Sequence, residues 1–351
     1  MNIHDIMMQV VEKEGSDIHL NVDTPPMLRV GGKLVAVEGA PVLTQELSEK
    51  LILPILTQEQ KDYVRVNKEL DFGYQFQDKG RFRVNVFHAL GTIGAAMRLI
   101  PDRVKSLEEL NLPPAIAQFA DFNQGLVLLT GPTGEGKSTT LAALIDTINK
   151  TRSEHIVTIE DPIEFRYRAN KSIITQREIG HDSNSWQVAL RSVLREDPDV
   201  VLIGEMRDFE TIASAITIAE TGHLVFATLH TATAAETMSR IIDVFPAGQQ
   251  GQIRQQLAAT VKAVASQRLL PAVDGSRRAA MEIMFANSAI RNLIREEKAF
   301  QIDTVMQTSA DSGMMLFETH LMQLIQQGII SKDVALERAF RPAEMARLLE
   351  K

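Results

Sequence analysis

Residues 131–138 read Gly131-Pro132-Thr133-Gly134-Glu135-Gly136-Lys137-Ser138, which fits the spacing G-x-x-x-x-G-K-[ST] of a phosphate-cradling loop. The run follows the apolar stretch LVLLT and precedes STTLAALIDTI, so it has a strand before it and a helix after it, as the chemistry requires. Glycines let the backbone turn its N–H groups inward around phosphates, and the helix N-terminus adds a favourable dipole. Lys137 would reach β and γ oxygens, Ser138 would hold Mg²⁺ through its hydroxyl, and Thr139 extends the binding run into the helix. One residue is out of character. Glu135 puts an anion where polyphosphate oxygens approach; at roughly 7 Å and an effective dielectric of about 40 to 80 the repulsion is on the order of 1 kcal/mol. Amides point inward in such a loop, so the Glu135 side chain is expected to project outward, toward an arginine of another domain or of a neighbouring subunit.

Four further groups carry candidate chemistry. Asp199-Val-Val-Leu-Ile-Gly204-Glu205 is an apolar strand ending in a carboxylate, expected to neighbour the phosphate-loop strand. Glu205 there would polarise attacking water or orient the Mg²⁺ shell through water; the plainer reading is a helix N-terminal charge before Asp208. Thr158-Ile159-Glu160-Asp161-Pro162-Ile163-Glu164 clusters three acids at another strand end, a repulsive arrangement unless Mg²⁺ or an arginine relieves it. Glu160 and Glu164 are the candidates, against an ordinary solvated turn. Thr221-Gly-His223 through Thr228-Leu-His230 places one histidine before a strand and one after it; each is either a donor to a γ-phosphate or merely hydrogen-bonded. In RFRVNVF the period of two puts Arg81 and Arg83 on one strand face, and Arg98 ends the next strand. A solvated face explains them simply, whereas charge supplied to a transferring phosphate explains them functionally.

The elements that must position these residues fall into two styles. The first hundred residues have α+β composition: an amphipathic helix (Ile3, Ile6, Met7, Val10, Val11), an alternating strand over Asp17–Val22, short strands around Gly31-Gly32, and two helical stretches near 44–66. Three strand-like runs follow, ELDFGYQF, RFRVNVF and GTIGAAMRLI, with the turn QDKG between the first two. Prolines at both ends mark a linker over 101–118. From Gly125 onward, short apolar strands (GLVLLT, HIVTIE, VVLIGE, HLVFATLH) alternate with helices, the signature of a parallel sheet covered by helices. After the strand AAMEIMF the chain is helical to Lys351, with Ala289, Ile290, Leu293 and Ile294 on one face of the first helix. The expected domains are 1–100, 119–286 and a C-terminal helical region 287–351.

At 351 residues, 44% hydrophobic and 23% charged, the chain has the composition of a soluble globular protein of two domains. Its net charge of −8 provides no general attraction for nucleic acid. No secretory leader or membrane span is expected, and zero cysteines exclude disulfides and thiolate zinc sites, which fits a cytoplasmic protein.

The motifs GPTGEGKSTT, TIEDPIEF, VLREDPDVVLIGEMRD and TGHLVFATLHT, in that order and spacing, resemble those of the secretion-superfamily hexameric ATPases. The tail motif Ala289-Ile-Arg-Asn-Leu-Ile-Arg-Glu296 resembles that of the type IV pilus retraction ATPases, the PilT family, and the resemblance covers essentially the whole chain. It implies an α/β protein with a PAS-like N-terminal α+β domain, a RecA-like P-loop ATPase domain and C-terminal helices. It further implies a homohexamer that hydrolyses ATP with Mg²⁺ at the inner face of the cell membrane beneath the pilus base, engaging an inner-membrane platform protein and, indirectly, pilin. By the same resemblance Lys137 and Ser138 match the Walker A pair, Glu205 the Walker B glutamate, Glu160 and Glu164 the acidic box, and His223 and His230 the histidine box. Arg81, Arg83 and Arg98 match basic N-terminal positions that approach nucleotide. At the place of Glu135 the family most often has serine.

Extension and type II secretion ATPases resemble the chain too, but typically carry longer N-terminal regions and a four-cysteine metal site. A DNA-linked motor would want a basic channel or arm, which the acidic balance opposes. A nucleotide-dependent regulator without hydrolysis is the third alternative.

Overall fold

Asn2 and Asp5 close a reciprocal capping box over helix α1 (Ile3–Glu12), which buries Ile3, Ile6, Met7 and Val10 in the first of two cores; Val11 is only half-buried. The computed structural model describes residues 1–13, 15–77, 79–100 and 103–350, and its chain divides into two units. Met1–Arg103 form the first together with Pro162–Arg166, and the second holds Val104–Asp161 and the chain from Tyr167 on.

In the first unit α1 is followed by β1 (Asp17–Leu20), β2 (Met27–Val30), β3 (Lys33–Ala36), α2 (Gln45–Ile52), α3 (Gln58–Asn67), β4 (Glu69–Phe76), β5 (Gly80–Ala89) and β6 (Thr92–Ile100). They make an antiparallel sheet ordered β3-β2-β1-β6-β5-β4. Gly31 and Gly32 join β2 to β3 with positive φ at both, the conformation that a two-residue hairpin loop needs. β1 is shorter than the expected Asp17–Val22, because the chain turns at Asp23, whose φ is 68°. Strand alternation sends Phe82, Val84 and Val86 into the core and leaves Arg81 and Arg83 on the opposite face of β5. Asp78, in the turn QDKG, lies outside the described residues.

The second unit runs β7 (Gly125–Thr130), α4 (Lys137–Thr151), β8 (His155–Glu160), β9 (Ile173–Glu178), α5 (Trp186–Val193), β10 (Val200–Ile203), α6 (Phe209–Glu220), β11 (Leu224–Leu229), α7 (Ala234–Asp243), α8 (Ala247–Thr260), β12 (Val261–Pro271) and β13 (Arg277–Phe285). Helices α9 (Ser288–Arg295), α10 (Ile302–Thr308), α11 (Phe317–Gln326), α12 (Lys332–Arg338) and α13 (Pro342–Leu349) complete it. Its sheet is ordered β13-β12-β7-β11-β10-β8-β9, parallel except for β13. Along β7, Leu126 and Leu128 enter one core with α5–α9, while Val127 and Leu129 enter another with α4, so the sheet is covered on both faces. No helix among the described residues is long and apolar enough to cross a membrane.

The linker and the C-terminal region both join the second unit. Pro101 and Asp102, the start of the expected linker, lie outside the described residues, but from Val104 on the chain belongs to the second unit. There a 3₁₀ stretch, Pro114–Asp121, buries Ile116 and Phe119 in that unit's core, which a free linker would not do. The helices from residue 287 onward pack on the second unit as well: Phe317, Leu321, Leu324 and Met345 share a cluster with Leu270 of β12 and Ala280 of β13. In α9, Ile290 and Ile294 are buried and Leu293 half-buried, but Ala289 is exposed. Arg291 of the same helix donates to the carbonyls of Ala258, Ala259 and Val261, capping the end of α8.

Candidate nucleotide site

The phosphate loop leaves the C-terminal end of β7 and enters α4. Gly131, Gly134 and Gly136 all have positive φ. At Gly131 a Cβ would lie 2.3 Å from the carbonyl oxygen of Gln267, so no other residue fits there. Around Gly134 nothing lies within 4 Å. The backbone amides of Gly134, Glu135, Gly136 and Ser138 donate to no backbone carbonyl, and the first turn of α4 has no acceptor of its own to offer. This is a cradle of free N–H groups at a helix start, which fits an anion. Lys137 is buried and donates through Nζ to the carbonyls of Gly131, at 2.6 Å, and Pro132, at 2.9 Å, so its charge already sits inside the loop. Ser138 and Thr139 are half-buried in the first turn, while Pro132 and Thr133 are exposed.

Glu135 has partners within its own unit. Its carboxylate accepts a hydrogen bond from the backbone N–H of Leu269 on β12, and its carbonyl accepts from Gln267 Nε2 at 2.6 Å. Instead of open solvent, the Glu135 side chain meets β12 within the same unit. The carboxylate is held on β12.

Glu205 follows β10, whose neighbours are β11 and β8. The expected adjacency to the phosphate-loop strand is therefore wrong by one strand, because β11 is inserted between β7 and β10. What restores the site is register. Thr130 pairs with Leu229 of β11 and Ile203 of β10 pairs with Ala227, so Gly131, His230 and Glu205 all emerge at the C-terminal edge of the sheet. Open parallel sheets bind ligands at that edge. His230 Nε2 lies 2.7 Å from Glu205 Oε1, and Arg207 Nη2 lies 2.8 Å from Glu205 Oε2. Burial raises the Glu205 pKa, but hydrogen bonds and charge from Arg207 and His230 outweigh it and hold the group below its ordinary value. Thr228 fixes the turn by donating to the carbonyl of Gly204 at 2.6 Å.

Glu160 ends β8, one strand farther out, buried and accepting from Thr158 Oγ1 at 2.7 Å. Glu164 belongs to the other unit. Residues 162–166 belong to the first unit, where Glu164 lies 4.0 Å from Arg83 Nη1. Each of these acids has positive charge nearby: Arg83 faces Glu164, and Arg207 lies close enough to Asp161 to feel its charge.

His223 is also corrected. It precedes β11, and its carbonyl accepts from Gly125 N at the start of β7, so it lies at the N-terminal edge of the sheet. The six residues of β11 rise about 3.3 Å each, putting His223 roughly 20 Å from the phosphate-loop edge. Its Nδ1 is engaged with Thr221 Oγ1 and the Ile218 carbonyl, which makes it a local helix-end contact, not a ligand of the nucleotide in its own unit.

In the first unit Arg83 and Arg98 are cross-strand partners, and Arg98 also pairs with Asp17 at 2.8 Å. Although burial raises the Asp17 pKa, Ser16 and Arg98 hold it below its ordinary value. Arg81 lies across Gly73 of β4, where a Cβ would meet its guanidinium at 2.0 Å.

Residues missed in the sequence are Arg207, Thr228 and Gln267. Arg207 stands two residues beyond Glu205, a spacing that could have flagged it. Gln267 offers no such signal: it is 2% exposed, accepts from Thr140 Oγ1 at 2.8 Å, and sits on a strand whose apolar run is broken by Lys262 and by Ser266-Gln267-Arg268.

The family model described as type II/IV secretion system protein matches residues 1–350. The chain is 44% identical over 342 residues to the type IV pilus retraction ATPase PilT of Pseudomonas aeruginosa, covering 97% of this chain and 99% of that protein. It is 47% identical over 322 residues to the twitching motility protein of Neisseria gonorrhoeae, covering 92% and 86%. A crystal structure of the pilus retraction motor PilT with bound ADP superposes with a TM-score of 0.93 at 42% identity, over 99% of both chains. With a phosphate loop, a Glu205–His230 pair at the same sheet edge and a family match running from end to end, this chain belongs to the type II/IV secretion system protein family.

Proposed function

We propose that this protein is an ATP-hydrolysing motor that powers type IV pilus retraction. The observation that carries the reading is the placement of Lys137, His230 and Glu205 along one sheet edge in a chain whose retraction-ATPase relative is matched over nearly its full length. ATP binds with its phosphates in the amide cradle of residues 131–138, and Lys137 turns from the loop carbonyls toward the β and γ oxygens. Ser138 is the residue that would hold Mg²⁺, with Glu205 acting on the metal's shell through water. Bound there, Mg²⁺ supplies neutralisation of phosphate charge.

Glu205, kept ionised by Arg207 and His230, accepts a hydrogen bond from the attacking water and aligns it. His230 fixes the carboxylate's direction. Glu160 shapes the same edge from β8. Arg81, Arg83 and Arg98 supply positive charge to the transferring phosphate in the assembled ring, and Glu164 holds Arg83 until then. The working form is a homohexamer at the cytoplasmic face of the inner membrane, acting on a platform protein and through it on pilin.

Deleting the gene and counting surface pili tests this reading. Excess pili with lost surface motility supports retraction, and bald cells contradict it.

A further inference from the structure

Among the described residues, β12 has no strand on its β7 side beyond Ser266. The parallel pairing of β7 with β12 ends at Thr130 and Ser266, while β12 continues to Pro271 on β13 alone. On that open side the N–H of Leu269 finds the Glu135 carboxylate, which takes the place of a missing strand's carbonyl. Gln267 completes the joint, donating to the Glu135 carbonyl and accepting from Thr140 on α4. The loop is therefore clasped to β12 at its backbone and at its one acidic side chain.

Alternate residues of the same stretch point the other way. Arg268 donates to the carbonyl of Arg338 at 3.2 Å and lies over the ring of Phe340, 4.5 Å from its centroid. Phe340 stacks on Phe317 of α11 at 4.0 Å, and Leu270 is buried with Phe317, Leu321 and Met345. Residues 267–270 thus touch the phosphate loop with one face and the C-terminal helices with the other.

We propose that Glu135 is a positioning residue that clasps the phosphate loop to β12, so that nucleotide occupancy is transmitted through Arg268 and Leu270 to helices α11–α13. The clasp depends on side-chain length: glutamate and glutamine reach the Leu269 amide with an oxygen acceptor, and serine is two bonds too short. The anion in the loop is then the handle by which the loop is held, which accounts for a charge that on its own weakens phosphate binding.

This inference rests on nucleotide binding at the phosphate loop, and the test separates the two. In the purified full-length protein, mant-ADP affinity and amide hydrogen exchange with and without ADP are measured for the natural chain, Glu135→Ser and Glu135→Gln. The expected result is ADP-induced protection in peptides of 317–349 of the natural chain, lost in Glu135→Ser and kept in Glu135→Gln. Glu135→Ser should bind mant-ADP at least as tightly, up to about fivefold tighter with the loop anion removed. Undiminished protection in Glu135→Ser, or none in the natural chain despite mant-ADP binding, overturns the inference. Absence of mant-ADP binding by the natural chain overturns the nucleotide reading instead.

Discussion

Glu205 Oε1 and His230 Nε2 stand 2.7 Å apart across 25 residues, one beyond the end of β10 and the other beyond β11. The contact exists because β11 was inserted between the strand of the phosphate loop and the strand of Glu205, so that His230 stands between loop and carboxylate. His230→Ala should leave nucleotide affinity within about twofold and lower turnover by on the order of tenfold to 100-fold, the range for a group that aligns a catalytic base. Measuring Kd and kcat separately checks it.

His223 occupies the opposite edge of the same strand, and the two histidines should separate experimentally. His223→Ala is expected to bind mant-ADP with unchanged affinity, because the Thr221 and Ile218 contacts it loses are local. A large affinity loss in that variant would place His223 against a nucleotide after all.

Arg207 holds the Glu205 pKa down, so its removal should move the acid side of the turnover profile. For a carboxylate whose folded pKa is depressed, the ionised form and its stabilisation persist above the unfolded pKa and are lost as pH falls through the folded one. In Arg207→Ala that loss should begin at higher pH than in the natural chain. A profile with an unmoved acid limb contradicts the pairing.

Glu282 carries the opposite shift. Fully buried on β13, it accepts from Ala234 N at the start of α7 and faces Arg341, with Asp303 and Glu318 also around that guanidinium. Burial is the main cause that pushes its pKa up from 4.5 to about 7, with Asp303 adding to it, against the pull of Ala234 N and Arg341. The folded state then keeps a proton that the unfolded chain has released, so this group's contribution to stability falls as pH rises from about 4.5 to about 7. Glu282→Gln should flatten that part of the dependence of Tm on pH, measured by calorimetry beside the natural chain.

Much of this site was legible in the sequence, for reasons that differ by residue. The phosphate loop declares itself because three positive-φ positions need glycine and because Lys137 and Ser138 must follow at fixed spacing. Glu205 was visible as the carboxylate after an apolar strand, although the strand inserted beside it was not. His223 and His230 stand at opposite ends of a strand of six residues, so within one chain they do not meet at the same sheet edge. Glu135 was noticed, but its partner lies 134 residues away on a strand whose polar centre hid it. Gln267 escaped for the same reason, and the unit that residues 162–166 join is not encoded in local pattern.

Lys137→Ala should weaken nucleotide binding by on the order of 100-fold, about 3 kcal/mol for the loss of charge-assisted hydrogen bonds to phosphate. Titration with mant-ADP checks it; affinity within threefold of the natural chain would mean that the amide cradle alone suffices.

The central claim is that ATP is hydrolysed at the C-terminal sheet edge with Glu205 as the residue acting on water. Phosphate release by the purified protein in the presence of Mg²⁺ tests it most directly, measured beside Glu205→Gln with mant-ATP binding determined on the same samples. The account predicts turnover in the natural chain and at least about a 100-fold loss in the variant with binding retained; full turnover by Glu205→Gln would contradict it.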